Sequence, residues 1–311
     1  MYPLTPGHHT FHSDTENLTF EYIIQAPTSH HNHALDPNNL LIIQCPAWGI
    51  GSNYLQAGLH ALLSPSTTHP HAHALLFFHP RGTDGSSRPE TDTHMSSMHL
   101  ASDIENLRRH LGIERIPALL GHSNGGGIAL VYAELYPHRV EKLILLNHRL
   151  IGFDDGDGVD WTVLRMDPRY RDVPSRGWKG INSSSDEVFT QSVMERWPLY
   201  FWDPRKGVPD LVDAIGERRM SVWCFCAVNK GIRDLEESGE MVNRLEQVQA
   251  KTLIIFGRED WICRVANAER THRGIPGSEL RVYENCGHFP WIEQRERTLN
   301  DIRTFLDIPI M

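Results

Sequence analysis

The 311-residue chain has no stretch of about 18 or more apolar residues, so no membrane-spanning helix is expected. Its first residues, Met1-Tyr2-Pro3-Leu4-Thr5-Pro6-Gly7-His8-His9, lack the basic and apolar regions of a secretory signal, and its last residues, Asp307-Ile308-Pro309-Ile310-Met311, match no address signal. Cysteine is scarce: Cys45, Cys224, Cys226, Cys263 and Cys286 are odd in number and irregular in spacing. That pattern does not build a disulfide framework, and free thiols in a reducing, cytoplasmic setting are expected. Cys224-Phe225-Cys226 has one residue between its thiols, too few for a redox pair or a zinc half-site. Basic charge is also in deficit. With 39 acidic and 30 basic residues the net charge is -9, which argues against a nucleic-acid partner. No membrane partner is expected either.

What is present is ordinary for a folded domain: 40% hydrophobic and 22% charged residues. The length suffices for one core with an inserted subdomain. Short apolar runs at 40–44, 74–78, 117–120, 140–146, 252–256 and 280–283 read as buried strands of a mainly parallel sheet. An earlier antiparallel strand is expected at 19–26. Helical patterns lie between, at 103–111, 126–136 and 297–306, so the fold class is α/β. The alternation breaks between about Gly152 and Gln247. That stretch holds Trp161, Trp178, Trp197, Trp202 and Trp223, five of the eight tryptophans. It also holds the loop-like runs Asp154-Asp155-Gly156-Asp157-Gly158 and Asn182-Ser183-Ser184-Ser185-Asp186. It is read as a helical cap at 152–247 inserted into a core made of 1–151 and 248–311. Two histidine-rich patches, 29–33 and 69–73, have almost no carboxylates nearby and read as solvated loops; no metal is expected.

The most specific motif is Gly121-His122-Ser123-Asn124-Gly125, between a predicted strand and a predicted helix. A serine at so tight a turn stands exposed at the sheet edge, and flanking glycines keep Cβ atoms out of the bend. The Asn124 N–H then points the same way, at a helix start that favours an anion. A serine hydroxyl needs a base, and the base an orienting acid. In the chain order Ser, acid, His, the strand at 252–256 ends in Gly257-Arg258-Glu259-Asp260-Trp261, which makes Asp260 the candidate acid and Glu259 the fallback. The strand at 280–283 ends in Glu284-Asn285-Cys286-Gly287-His288, which makes His288 the candidate base. After the strand at 140–146 comes Asn147-His148-Arg149, with no carboxylate. The second oxyanion donor should come from the loop Cys45-Pro46-Ala47-Trp48-Gly49: Pro46 has no N–H, Ala47 is the candidate and Trp48 the next.

Together with Gly49-Ile50-Gly51-Ser52-Asn53-Tyr54-Leu55, Pro80-Arg81-Gly82-Thr83-Asp84-Gly85-Ser86 and Cys286-Gly287-His288-Phe289-Pro290-Trp291, these pieces resemble the prolyl iminopeptidase-like branch of the α/β-hydrolase family. The resemblance covers about 40–150 and 251–305. It implies an α/β-hydrolase fold, mostly parallel sheet flanked by helices, with an inserted helical cap and a Ser-His-Asp triad. Two stretches depart from the peptidases of that branch. Where they carry a glycine-rich oxyanion loop, this chain has Trp48, which would narrow the pocket and line it with apolar surface. The cap segment Glu195-Arg196-Trp197-Pro198-Leu199-Tyr200-Phe201-Trp202-Asp203 is a poor match for one that holds a substrate ammonium, and Arg196 and Arg205 would oppose such a charge.

The resulting expectation is a serine hydrolase, without cofactor, acting on an ester, lactone or amide of a small hydrophobic or aromatic molecule. Trp48, Trp197, Tyr200, Phe201 and Trp202 are the candidate substrate-binding residues, unless the cap aromatics are only the cap's own core. Open alternatives are an aminopeptidase, a C–C hydrolase or lyase, and a ligand-binding protein that has lost turnover. The sequence leaves monomer and homodimer equally open.

Overall fold

The computed structural model describes residues 4–27, 35–154, 160–175 and 185–309. The first histidine-rich patch lies wholly outside these residues, as do Trp178 and most of the two loop-like runs. One eight-stranded sheet organises the chain, in the order β1-β2-β4-β3-β5-β6-β7-β8. The strands are β1 (Gly7–Ser13), β2 (Leu18–Gln25), β3 (Leu40–Gln44), β4 (Ala74–Phe78), β5 (Ile116–His122), β6 (Val140–Leu146), β7 (Lys251–Gly257) and β8 (Glu279–Tyr283). β1 pairs antiparallel with β2, and β2 with β4; every other pairing is parallel. Every residue of β3 and β4 is buried, which is why both read as unbroken apolar runs: helices cover the two faces of a parallel sheet.

The core helices are α1 (Asn53–Leu59), α2 (Ser97–Leu111) and α3 (Ser123–Leu135), then α10 (Val265–Gly274), α11 (Pro290–Glu293) and α12 (Arg295–Asp307). α2 begins where Ser96 Oγ accepts from the His99 N–H. It ends at Gly112, whose φ of 66° a residue without Cβ adopts freely. The pattern at 103–111 captures only its second half, since polar Ser97, His99 and Ser102 dilute the first. Between β6 and β7 lie α4 (Trp161–Met166), α5 (Asp186–Met194), α6 (Pro204–Ile215), α7 (Val222–Gly231), α8 (Arg233–Ser238) and α9 (Glu240–Asn243). No strand interrupts them among the described residues.

The alpha/beta sandwich buries two apolar layers, one on each face of the sheet. The inserted segment contributes to the second of these layers through Phe189, Val193, Trp197, Leu199, Phe201 and Leu211. All five cysteines are free thiols. No helix among the described residues is long and apolar enough to cross a membrane.

Candidate active site

β5 runs directly into α3 at Ser123, whose φ of 55° lies in the left-handed region. That strain is tolerated because the turn leaves no alternative. A Cβ on Gly121 would stand 2.5 Å from the Gly125 carbonyl oxygen, and one on Gly125 would stand 2.3 Å from that of Gln44. The helix thus starts against the end of β3, with Ser123 at its first position.

The Asp260–His288 pair is assembled from the loops after β7 and β8. His288 Nδ1 lies 2.7 Å from Asp260 Oδ2, with both residues almost fully buried. A carboxylate only accepts, so Nδ1 carries the hydrogen and Nε2 is left as the basic lone pair. Asp260 Oδ1 accepts from the N–H groups of Ile262 and Cys263, at 2.7 and 2.9 Å. Glu259 has a different post: its Oε2 accepts from the Cys286 N–H at 3.0 Å and braces the His288 loop. Glu293 holds the same loop by accepting from Gly287 N–H at 2.6 Å and, across to the inserted segment, from Asp203 N–H at 2.8 Å. The His288 N–H itself donates to the Tyr200 carbonyl at 2.7 Å. Ser123 Oγ donates no hydrogen bond to His288, and the two residues line one narrow cavity.

Two residues that sequence reasoning left unassigned support this pair. Asn147 follows β6 and is fully buried. Its Nδ2 donates to Asp260 Oδ2 at 2.7 Å and to the Gly287 carbonyl at 3.2 Å. Its sequence signal is a polar residue directly after a strand, in a stretch that holds no carboxylate. His122, inside the serine motif, lies tilted against the His288 ring with centroids 4.6 Å apart, and its Nε2 donates to the His288 carbonyl at 2.9 Å. Burial, with the neighbouring His288 as a smaller contribution, holds His122 well below the usual histidine range, so it is neutral. Its Nδ1 is then free to accept from the Tyr54 hydroxyl at 3.4 Å.

The oxyanion expectation for Ala47 needs correction. The Ala47 N–H already donates to the Asn124 side-chain Oδ1 at 2.9 Å, and Ala47 is fully buried. The Trp48 N–H, one residue on, has no protein acceptor among the described residues. Trp48 and Asn124 both border the space in front of Ser123.

That space has two lobes sharing Trp48, Ser123 and Asn124. The narrow lobe, about 40 Å³, is enclosed by Tyr54, Trp197, Tyr200, Leu211, Met220 and Phe289 among others. The wide lobe, about 570 Å³, is more polar and carries Arg149, Asn229, Glu236 and Asn267 beside Phe153 and Phe225. Trp48, Trp197 and Tyr200 line the narrow lobe in front of Ser123. Phe201 and Trp202 do not. Phe201 is fully buried, stacked on Phe289 with ring centroids 5.2 Å apart. Trp202 is turned away beside Arg169, whose guanidinium lies 5.8 Å from its ring. The short helical turn ends at Tyr200 and Phe201 is extended, so the aromatics on either side of that break point in different directions. The second histidine patch makes no metal cluster among the described residues; His69 pairs with Asp307 at 2.7 Å.

The family model for the alpha/beta hydrolase fold matches residues 41–294, and the chain belongs to that family. Among curated relatives, a 2-hydroxy-6-oxononadienedioate/2-hydroxy-6-oxononatrienedioate hydrolase of Klebsiella pneumoniae is 27% identical over 65% of this chain and 66% of its own. A "probable proline iminopeptidase" of Leptolyngbya boryana is 25% identical over 69% of this chain and 72% of its own, in keeping with the resemblance read from the motifs. The chain thus spans about two thirds of the length of the curated relatives it matches. Among solved structures, an esterase from Exiguobacterium antarcticum superposes with a TM-score of 0.70 at 19% identity, covering 98% of this chain and 100% of that one. The enol-lactonase of Burkholderia xenovorans gives 0.68 at 15% identity, over 96% and 100%. At such identities the likeness is one of fold.

Proposed function

We propose that this hydrolase works by serine acyl transfer, with Ser123 as nucleophile, His288 as general base and then acid, and Asp260 as its orienting partner. The observation that carries the reading is the 2.7 Å Asp260–His288 hydrogen bond opening onto the cavity that holds Ser123. His288 Nε2 takes the Ser123 proton as Oγ attacks a carbonyl. The N–H groups of Asn124 and Trp48 receive the developing oxyanion, in place of Ala47. His288 then protonates the leaving group, and water releases the acyl enzyme by the same route. The segment 152–247 serves as the cap that walls the narrow lobe and, through the Tyr200 carbonyl, fixes His288.

The reading takes the substrate as an ester, lactone or amide, and the lobes suit one with a small apolar group in the narrow lobe and a larger, more polar part in the wide one. No cofactor enters any of these steps. The substrates named for the Klebsiella relative are oxo acids, so the second reading is the same attack on a ketone, with cleavage of a C–C bond.

The test is turnover of p-nitrophenyl acetate, butyrate and octanoate and of prolyl-p-nitroanilide by the wild type and Ser123→Ala. Ester turnover that falls with chain length and vanishes in the variant supports the reading. Turnover equal in both proteins contradicts it, and cleavage of the prolyl anilide alone moves the activity to the aminopeptidases.

A further inference from the structure

Arg149 lines the wide lobe, and the proposed chemistry gives it no task. It follows β6 by three positions, and its backbone N–H donates to the Ser123 carbonyl at 3.0 Å, so the residue starts directly beside the nucleophile. Its side chain crosses the lobe toward the inserted helices. One guanidinium nitrogen lies 2.9 Å from Glu236 Oε1 on α8, and another 3.4 Å from Asn229 Oδ1 on α7. The pair is not sealed: the Arg149 side chain is 31% exposed and that of Glu236 43%. An arginine head in a surface pair of that kind contributes little to stability. Inside a substrate cavity the same planar fork is suited to a carboxylate, and Glu236 already shows that a carboxylate fits against it.

We infer that Arg149, braced by the Asn229 Oδ1 that accepts from its guanidinium, is the anion subsite of this enzyme, and that the preferred substrate carries a carboxylate on the part that occupies the wide lobe. Glu236 is the internal competitor. Bound substrate takes its place on the Arg149 fork, so the ion pair neutralises the subsite until a substrate carboxylate arrives. The arrangement divides the substrate by chemistry, with a small apolar group against Trp197 and Tyr200 and a charged group against Arg149. Asp154 also lines the lobe, and the opposite charge preference therefore has to be tested in the same experiment.

The inference rests on Ser123 as the nucleophile, and the experiment separates the two. Matched esters are compared: p-nitrophenyl hydrogen glutarate against p-nitrophenyl valerate for a charge on the acyl side, and 4-carboxyphenyl butyrate against phenyl butyrate for a charge on the leaving side. Prolyl-p-nitroanilide supplies a cationic substrate. The readout is the ratio of kcat/KM for the anionic ester to that for its neutral partner, which cancels any general loss. In the wild type one of the two ratios should favour the anion. Arg149→Met should lower that ratio by on the order of tenfold to a hundredfold, mainly through KM, with Arg149→Lys in between. Glu236→Gln should raise it. A merely structural ion pair predicts the reverse for Glu236→Gln: no gain, or a loss shared by neutral and anionic esters. Ratios unchanged in Arg149→Met, or a preference for the cationic anilide, overturn the inference. Loss of all ester turnover only in Ser123→Ala leaves the acyl-transfer reading intact in either case.

Discussion

Asn147 and His288 both donate to the same oxygen of Asp260: Asn147 Nδ2 and His288 Nδ1 each stand 2.7 Å from Oδ2. Asn147 also donates to the Gly287 carbonyl, so one buried carboxamide ties the loops after β6, β7 and β8 into a single unit. It fixes the direction of the Asp260 carboxylate, and the carboxylate fixes the imidazole.

Asn147→Ala should therefore leave substrate binding nearly intact while kcat falls about tenfold to a hundredfold, the scale of one hydrogen bond to a charged group. A sharper version exchanges the two side chains. Asp260→Asn alone should cost about four orders of magnitude in kcat, as loss of the orienting acid does in serine triads. Adding Asn147→Asp returns a carboxylate to the same junction and should recover at least part of it. No recovery, with the fold intact by circular dichroism, would reduce Asn147 to a packing residue.

The elbow tolerates no side chain at Gly125. In Gly125→Ala the new Cβ would lie 2.3 Å from the Gln44 carbonyl, a backbone atom that cannot give way without moving β3. The expected result is a stability loss of about 1–3 kcal/mol, the range for overpacking, and a larger loss of turnover because Ser123 shifts with the turn. Denaturant midpoints and ester kinetics on one preparation check both.

Narrowness, not apolarity, should set the chain-length preference. Trp197 is buried and walls the 40 Å³ lobe. Trp197→Ala should shift the optimum among p-nitrophenyl esters from short toward longer acyl chains, at a stability cost of about 3–5 kcal/mol for a large aromatic truncation. An unchanged chain-length profile would place the acyl group in the wide lobe instead.

Glu134 on α3 is 3% exposed, and its Oε1 has no hydrogen-bond partner. Burial pushes its carboxyl up to about 9, only partly offset by the Arg244 charge. The folded state thus holds the proton more tightly than the unfolded chain. The stability this confers is complete below the ordinary glutamate range and is lost as pH rises toward 9. Glu134→Gln should raise the melting temperature at pH 8, by a stability gain on the order of 1–3 kcal/mol, and the difference should shrink toward pH 5. A constant difference across that range would contradict the assignment.

β3, β4, β6 and β7 were legible because buried parallel strands are largely apolar runs. β1 was not. Its sequence, GHHTFHS, alternates half-buried and exposed positions, and the histidines disguise an edge strand as a loop. α3 begins at Ser123 and not at Gly126, since a run of glycines masks a helix start that packing enforces. In the candidate site, the adjacency of Asp260 and His288 could be read from their places after successive strands. The Ala47 N–H could not: its acceptor lies 77 positions away in Asn124, a contact no local pattern reports. Phe201 and Trp202 were misplaced for the same reason, because composition shows aromatic content but not the direction of a side chain. Nothing in Asn147-His148-Arg149 marks the arginine as one that reaches the cavity, since its partners Asn229 and Glu236 lie 80 and 87 positions away.

The central claim is that Ser123 is the nucleophile. The most direct test is to treat the wild type, Ser123→Ala and His288→Ala with a fluorophosphonate and locate the adduct by peptide mass spectrometry. The account predicts one adduct per chain on Ser123 in the wild type, none in Ser123→Ala, and labelling slowed by orders of magnitude in His288→Ala. An adduct on another residue, or labelling of Ser123→Ala at the wild-type rate, would contradict it.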